Sequence, residues 1–129
     1  MRALIGVAAL MLVSCAADAQ VTTGSELLAR CEQLEKGWRF RSDGTIFVPN
    51  NGMQCWGYMS AVFDFSFLIL SKEGNKETRA LGPTCIPNGV SLVQLIRVFL
   101  QYARTNAGHL HEPAPKVVLN AINNSFPCR

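Results

Sequence analysis

Residues 85–128 read CIPNGVSLVQLIRVFLQYARTNAGHLHEPAPKVVLNAINNSFPC, a segment in which two cysteines bracket two apolar stretches. Ser91 is a good N-cap for a helix from Leu92 to about Thr105, because its hydroxyl can accept a hydrogen bond from a first-turn amide. Pro113 suits the first position of a further helix, where the amide it lacks would have no partner. The segment therefore predicts a helical hairpin that is closed at its base by a disulfide.

Two further helices are predicted before this segment. Ser25 can cap a first helix over Glu26–Glu35, and a longer second helix is predicted from Met53 to Leu70. The second helix is apolar on nearly every face, so we expect it to be buried or to pair with another subunit. Gly57 in its first turn predicts the close approach of another helix. The predicted fold class is all-α, a small four- to five-helix bundle stapled by two disulfides.

Two stretches of the chain are loop-like. Gly37–Gly52 carries turn signals and is interpreted as an extended arm, although Thr45–Val48 could pair as a short strand. Ser71–Pro83 is the most polar stretch, and its simplest interpretation is a solvated loop. Binding residues concentrate on loops that a rigid scaffold holds, so this loop is also a candidate for partner contacts. The predicted partner-binding residues are Lys72, Glu73, Lys76 and Arg79.

The beginning of the chain predicts export. Residues 1–19 combine a positive start, an apolar stretch too short to span a bilayer and a small-residue cleavage site at Ala17-Asp18-Ala19, and so predict a signal peptide. Residues 20–129 would then form a single helical domain. As an alternative, Leu12–Cys15 fits a bacterial lipobox, in which the cysteine would be lipidated and kept. Both interpretations predict a periplasmic location.

The remaining cysteines predict a disulfide framework. Cleavage or lipidation removes Cys15 from the thiol pool and leaves Cys31, Cys55, Cys85 and Cys128. Four cysteines in an oxidising compartment predict two disulfides, for which three pairings exist. Antiparallel packing of the first two helices favours Cys31 with Cys55, and closure of the later hairpin favours Cys85 with Cys128. Zinc-binding spacing is absent from the sequence.

Catalytic and metal chemistry find little support in the sequence. His109, His111 and Glu112 are a weak metal pattern, and capping or surface hydrogen bonds explain them better. Asp64 in the apolar second helix is predicted to be a structural acid with a hydrogen-bonding or cationic partner, for which Arg97 is the candidate. Hydrolase and phosphate-binding motifs are absent from the sequence, and disulfide pairing leaves no free thiol. We therefore predict no enzyme activity, no cofactor and no metal site.

Three short blocks of the sequence resemble a known family. The blocks are Cys55-Trp56-Gly57-Tyr58-Met59 with Asp64, then Cys85–Ser91 with Gln94-Leu95, then Leu110–Ala114 with Ala121 and Phe126-Pro127-Cys128. In this order, and with the four cysteines, they resemble the Rap/Tai family of type VI secretion immunity proteins over roughly residues 31–128, which is nearly the whole mature chain. The resemblance implies a small all-helical periplasmic protein, often dimeric, that binds and blocks a peptidoglycan amidase delivered by a neighbouring cell.

The predicted function is therefore a periplasmic immunity protein that binds and inhibits a peptidoglycan amidase toxin, with homodimerisation as a further expectation. The alternative is a periplasmic helical chaperone or generic protein-binding module without a toxin partner. The net charge of +3, from 12 basic and 9 acidic residues, is too small to favour nucleic-acid or membrane binding, and only lipidation at Cys15 would attach the chain to a membrane. If the Ser71–Pro83 loop makes no partner contacts, the arm with Arg39, Arg41 and Asp43 is the next candidate.

Overall fold

The computed structural model describes residues 20–68, 70–73, 76–81 and 84–128, and in 70–73 and 76–81 it describes the backbone. The predicted signal peptide at 1–19, with Cys15, lies outside the described residues. In chain order the elements are α1 (Gly24–Gly37), β1 (Arg39–Phe40), β2 (Ile46–Phe47), a 3-10 turn (Asn50–Gly52), α2 (Met53–Phe65), β3 (Leu70–Glu73), β4 (Lys76–Leu81), β5 (Thr84–Ile86), α3 (Leu92–Thr105), a second 3-10 turn (Ala107–His109) and α4 (Ala114–Ser125).

Helices make up most of the described fold, in agreement with the predicted all-α class. The described residues contain four α-helices, so the four-helix count fits and a fifth helix is not found among them. The short strand left open over Thr45–Val48 is present as β2, whereas the three-stranded sheet was not predicted. β1 and β2 form an antiparallel pair, and β3, β4 and β5 form a three-stranded antiparallel sheet in that order.

Capping boxes define the starts of α1 and α3. The Ser91 hydroxyl accepts from the Gln94 amide, and the Gln94 side chain accepts from the Ser91 amide at 2.8 Å, so the predicted start of α3 is confirmed. In α1 the cap is Thr23 rather than the predicted Ser25. The carboxylate of Glu26 lies three residues after Thr23 and accepts from its amide at 3.2 Å, which closes the reciprocal pair that stabilises a helix start.

The second helix is shorter than predicted. It ends at Phe65 rather than Leu70, and its last amides bond three residues back, as Phe67 N–H donates to the Asp64 carbonyl at 3.1 Å. The buried Ser66 hydroxyl donates to the Phe63 carbonyl at 2.6 Å, which stabilises the end of the helix. The expected close approach at Gly57 is also wrong, because a β-carbon there would meet nothing within 4 Å.

The core lies between the four helices. α1 packs against each of the other three helices, and α3 packs against α4. Leu27 and Leu34 of α1 and Phe99 of α3 are fully buried there, together with Met59 of α2 and Val117 of α4. The starts of α1 and α4 also bond to each other, since the Gly24 amide donates to the Glu112 carbonyl and the Ala114 amide donates to the Thr22 carbonyl. This four-helix core is the rigid base from which the strands project.

Two disulfides join the elements in the pairing that the helix positions predict. Cys31 of α1 bonds Cys55 of α2, and Cys85 of β5 bonds Cys128 beyond α4. They close loops with sequence separations of 24 and 43 residues. Each such bond typically stabilises a small domain by about 2–4 kcal/mol. The disulfides therefore fix the second helix to the first, and the end of the hairpin to the three-stranded sheet.

The stretch 71–83, predicted to be a loop, contributes instead to the three-stranded sheet. The register of β3 and β4 places Lys72 opposite Glu77 and Glu73 opposite Lys76. Oppositely charged residues directly across an antiparallel pair favour that pairing, which gives a physical reason for strands in so polar a segment. β4 then pairs with β5, where Thr84, Cys85 and Ile86 are buried. The polar segment is thus joined to the core through an apolar strand.

Candidate functional site

The histidine and glutamate pattern forms a surface ion-pair cluster. His109 Nδ1 lies 3.3 Å from Glu112 Oε1, and Lys116 Nζ lies 3.2 Å from the same oxygen. The hydrogen bonds from His109 and Lys116 hold the pKa of Glu112 below its ordinary value. Among the residues that the structure describes, no group of three metal-ligating side chains comes together. The cluster therefore stabilises the start of α4, consistent with surface hydrogen bonding.

Asp64 does not occupy the predicted structural position. Its side chain is exposed at the end of α2, so no burial penalty demands a partner there. The candidate partner, Arg97, instead holds its guanidinium carbon 5.7 Å from the centroid of the Trp38 ring. The prediction of a buried acid paired with Arg97 is therefore wrong, because the helix turns this residue toward solvent.

The predicted partner-binding residues lie on two paired strands. Lys72 and Glu73 belong to β3, while Lys76 and Arg79 belong to β4. The register places Leu70 opposite Arg79 and Arg79 opposite Ile86, so this arginine occupies the central strand. The four residues are thus brought into one hairpin that is joined to the Cys85–Cys128 disulfide. Their role in binding stays a prediction.

A second candidate surface lies on the arm between α1 and α2. Phe40 is 60% exposed and Phe47 is 43% exposed, although both are large aromatic residues. Arg41 holds its guanidinium carbon 5.8 Å from the Phe47 ring centroid, and the Trp38 and Phe40 rings lie 6.4 Å apart. A cavity of about 580 Å³ opens beside these side chains. Its lining consists of Gly37, Arg39, Phe40, Arg41, Phe47 and Pro49.

A third candidate surface lies between α2 and α4 and is apolar throughout. A cavity of about 370 Å³ is lined by Ala61, Val62, Phe65, Pro115, Val118 and Leu119. Phe65 is 52% exposed and Leu119 is 39% exposed. The apolar second helix was expected to be buried or to pair with a subunit, and two of its exposed residues, Ala61 and Phe65, lie on this surface.

The sequence analysis named the arginines of the arm as a second choice but overlooked its aromatic residues. Trp38, Phe40 and Phe47 sit in a stretch that is otherwise rich in turn and charged residues. Aromatic residues and arginine are the types most enriched at protein interfaces, and their mixture in a predicted loop is the signal that could have identified this surface.

The fold is that of a small, disulfide-stapled helical protein with exposed apolar and aromatic surfaces. Residues 23–128 match the family model of Rap1a immunity proteins, a range that includes every described helix and all four paired cysteines. The chain belongs to the Rap1a immunity protein family. Neither the curated proteins nor the solved structures compared with the chain give a match.

Family membership gives the chain a coarse function. An immunity protein binds and neutralises a secreted toxin, so the partner is a toxin protein, and the family is one of inhibitors rather than enzymes. The two disulfides together with the family indicate an exported or periplasmic protein. Within the described part of the chain, none of the helices combines the length and apolar character that a membrane span requires.

Proposed function

We propose that this chain is a periplasmic immunity protein that binds and inhibits a peptidoglycan amidase delivered by the type VI secretion system of a neighbouring cell. The observation that carries the proposal is the family match over residues 23–128. The amidase as target follows from the Rap/Tai-like blocks at residues 55–64, 85–95 and 110–128 of the sequence. Inhibition would come from occlusion of the amidase cleft by a surface held on the helical core.

The periplasm is the compartment in which this inhibitor would meet its target. A cell-wall amidase acts on peptidoglycan there, and the oxidising conditions there favour the Cys31–Cys55 and Cys85–Cys128 bonds. Export would use residues 1–19 as a signal peptide. The mature chain would then begin at Gln20, whereas lipidation would leave Cys15 as its first residue.

Contacts to the amidase are proposed for Lys72, Glu73, Lys76 and Arg79. The backbone register places these residues on β3 and β4, in a hairpin that β5 and the disulfide at Cys85 join to the core. A preorganised hairpin loses less conformational entropy on binding than a free loop. Simultaneous replacement of Lys72, Lys76 and Arg79 by Ala should raise the dissociation constant of the complex with the amidase. Arg30→Ala combined with Lys36→Ala removes positive charge from the exposed side of α1 and serves as the control.

Homodimerisation is proposed through the apolar α2–α4 surface. A two-fold interface places the same patch of each subunit in contact, so a patch without charged residues is complementary to itself. The arm surface is less suited to that role, because two copies of Arg39 and Arg41 would repel. Leu119→Glu should shift the sedimentation coefficient toward that of a monomer. Leu68→Glu introduces the same charge at an exposed leucine outside the cavity lining and should not.

One experiment tests the proposed function as a whole. A candidate type VI peptidoglycan amidase is directed to the periplasm of a test cell, with and without the full chain. We expect the full chain to restore growth and the purified protein to inhibit hydrolysis of isolated peptidoglycan. A chain that lacks residues 1–19 should fold less well in the cytoplasm and should not protect. Binding of many unfolded proteins without inhibition of the amidase would instead support a periplasmic chaperone.

A further inference from the structure

The arm between α1 and α2 presents an unusual concentration of exposed aromatic and arginine side chains. We define the aromatic–arginine surface as Trp38, Arg39, Phe40, Arg41, Phe47 and Arg97. Phe40 and Phe47 are two of the seven large apolar residues that are exposed in the described part of the chain, on a two-stranded ribbon outside the core. Phe47 lies opposite Arg39 on one face of the ribbon, and Phe40 lies on the other face. A partner that covers both exposed rings would therefore receive the ribbon in a cleft.

Two of the three arginines of this surface, Arg41 and Arg97, lie over aromatic rings rather than beside carboxylates of the described residues. Arg41 lies over Phe47 and Arg97 lies over Trp38, with separations of 5.8 Å and 5.7 Å from guanidinium carbon to ring centroid. Ion pairs among the described residues involve Arg104, His109 and Lys116 as cations, and none of these three surface arginines. A guanidinium that stacks on a ring keeps its N–H edge available for a carboxylate.

Hydrogen bonds at the tip of the arm and close packing at its base restrain the backbone that carries these side chains. At its tip the Asp43 carboxylate accepts from the Thr45 amide at 2.9 Å and from the Thr45 hydroxyl at 2.7 Å. Gly44 has a φ of +82°, which suits a tight turn, and its amide donates to the Arg41 carbonyl at 3.1 Å. At the base, a β-carbon on Gly37 would lie 2.7 Å from Pro49 Cγ, so the end of α1 and the residue before the 3-10 turn are in close contact there.

The positive charge of the aromatic–arginine surface indicates the chemistry of the partner that it would bind. The surface contributes three arginines, and Asp43 is the nearest acid along the chain. Hydrogen bonds from Thr45 lower the pKa of Asp43, so its charge is engaged within the turn. Three cations interleaved with aromatic rings fit a protein cleft that combines carboxylates with an apolar floor. Arginine can meet a carboxylate with two parallel hydrogen bonds, which gives orientation as well as energy.

We infer that the aromatic–arginine surface is an inhibitory contact that docks into an acidic, apolar-floored site on the toxin. This inference rests on the proposed function and adds to it a second contact region, separate from the β3–β4 hairpin. Interfaces concentrate their binding energy in a few aromatic and arginine residues, and the arm supplies both types on a rigid base. A preorganised surface of this kind also lowers the ordering cost of association.

The test measures how tightly variants of the full mature protein bind the candidate amidase of the proposed function, with the nucleophile of the amidase replaced. Phe40→Ala combined with Arg41→Ala should raise the dissociation constant by about tenfold or more, the size expected when central contact residues are removed. The double variant should also show a weaker dependence of affinity on salt, because one cation of the contact is gone. Arg30→Ala on α1 removes the same charge from an exposed position and should change affinity little.

Conservative variants separate a contact from a structural role. Arg41→Lys keeps the charge but loses the planar group, so its affinity should lie between those of the parent and Arg41→Ala. All arm variants should unfold at nearly the parent temperature, since Phe40 and Arg41 lie outside the core. Parent-like affinity of the double variant would overturn the inference while leaving the proposed function intact.

Two further outcomes are decisive. If the parent protein neither binds nor inhibits the amidase, the proposed function fails, and the docking partner inferred here fails with it. If the double variant changes the sedimentation coefficient of the free protein, the aromatic–arginine surface is a contact between copies of this chain, and the inference is overturned. A loss of affinity in the arm variants with unchanged sedimentation supports it.

Discussion

Arg97 of α3 lies over the indole of Trp38, with its guanidinium carbon 5.7 Å from the ring centroid. Trp38 is the residue that ends α1 and begins the arm, and its amide donates to the Leu34 carbonyl at 2.9 Å. The contact therefore ties the root of the arm to the hairpin of α3 and α4. Neither helix alone would fix the direction in which the arm leaves the core.

Removal of the Arg97 guanidinium should weaken the fold modestly. An exposed cation–π contact contributes about 0.5–1 kcal/mol, so Arg97→Ala should lower the free energy of unfolding by that amount. Asp64→Ala, which truncates another exposed residue, should change it by no more than about 0.5 kcal/mol. Urea titration of both variants measures the difference. Equal effects would indicate that the ring contact carries no stability.

Two glycines should respond in opposite ways to substitution by alanine. A β-carbon on Gly52 would lie 2.7 Å from Leu34 Cα and 2.8 Å from Leu34 Cβ, so the backbone of α1 would have to move. We expect Gly52→Ala to destabilise the protein by about 1–3 kcal/mol. Gly57 in α2 has nothing within 4 Å, and Gly57→Ala should stabilise the helix by roughly 0.5–1 kcal/mol. Melting temperatures that shift in the same direction would contradict this reading.

The caps of α1 and α3 offer a test of where each helix begins. Thr23→Ala and Ser91→Ala each remove an oxygen that accepts from a first-turn amide, at 3.3 Å in both cases. Each should cost about 1 kcal/mol of stability. Ser25→Ala is the matched control, because Ser25 lies within α1 and bonds only the Thr23 hydroxyl among the described side chains. A larger loss from Ser25→Ala than from Thr23→Ala would place the cap at Ser25.

Removal of either disulfide should destabilise the protein strongly and by similar amounts. The loops close over separations of 24 and 43 residues. The chain-entropy relation gives about 3.5 kcal/mol for the shorter loop and about 4 kcal/mol for the longer one. Cys31→Ala with Cys55→Ala, and Cys85→Ala with Cys128→Ala, would be compared by denaturant unfolding. Loss of stability in only one pair would contradict the chain-entropy account for the other bond.

Acid should release the contacts of Glu112. Its pKa lies below the ordinary value of 4.5, chiefly through the hydrogen bond from His109 and then that from Lys116. A lowered folded-state pKa contributes stability above the ordinary value, and that contribution is lost as the pH falls through the folded-state pKa. Glu112→Gln should therefore flatten the fall in stability between about pH 5 and about pH 3.

The partners of Glu112 provide the control for that measurement. Lys116→Gln should reproduce part of the flattening, and the double variant should add little to the effect of Glu112→Gln, because both residues belong to one network. An acid profile that is identical in the parent and Glu112→Gln would show that other carboxylates dominate the acid response. Unfolding monitored by circular dichroism at each pH gives the required curves.

The helices could be predicted because their signals are local. Ser91 followed by Gln94 marks the start of α3, and Pro113 with Pro115 marks the start of α4. The end of α2, by contrast, has no local sequence signal. Its continuation, from Phe67 to Leu70, is a short apolar run that suits a helix or a strand equally well. The chain turns into β3 there because β4 and β5 supply strand partners.

The sequence contains a signal for the β3–β4 hairpin, although the polar composition of the segment suggested a loop. Gly74-Asn75 separates two stretches of similar length, and this dipeptide is typical of a tight hairpin turn. The polar residues around this dipeptide led to the prediction of a loop. Oppositely charged residues at facing positions also suit an antiparallel strand pair, even where apolar and polar residues do not alternate. The mixture of aromatic and arginine residues in the arm was a signal for a candidate surface, but the exposed fraction of each ring depends on which apolar residues the packed core leaves out.

The Cys31–Cys55 bond makes the arm part of a covalent ring whose other members are the end of α1 and the start of α2. A cut within the arm, between Arg41 and Thr45, would leave both pieces of the chain attached. Changes of length at the tip would alter the entropy of ring closure only slightly, since that entropy grows with the logarithm of loop size. The inferred contact surface on the arm can therefore change in sequence and length while the helices beneath it keep their sequence.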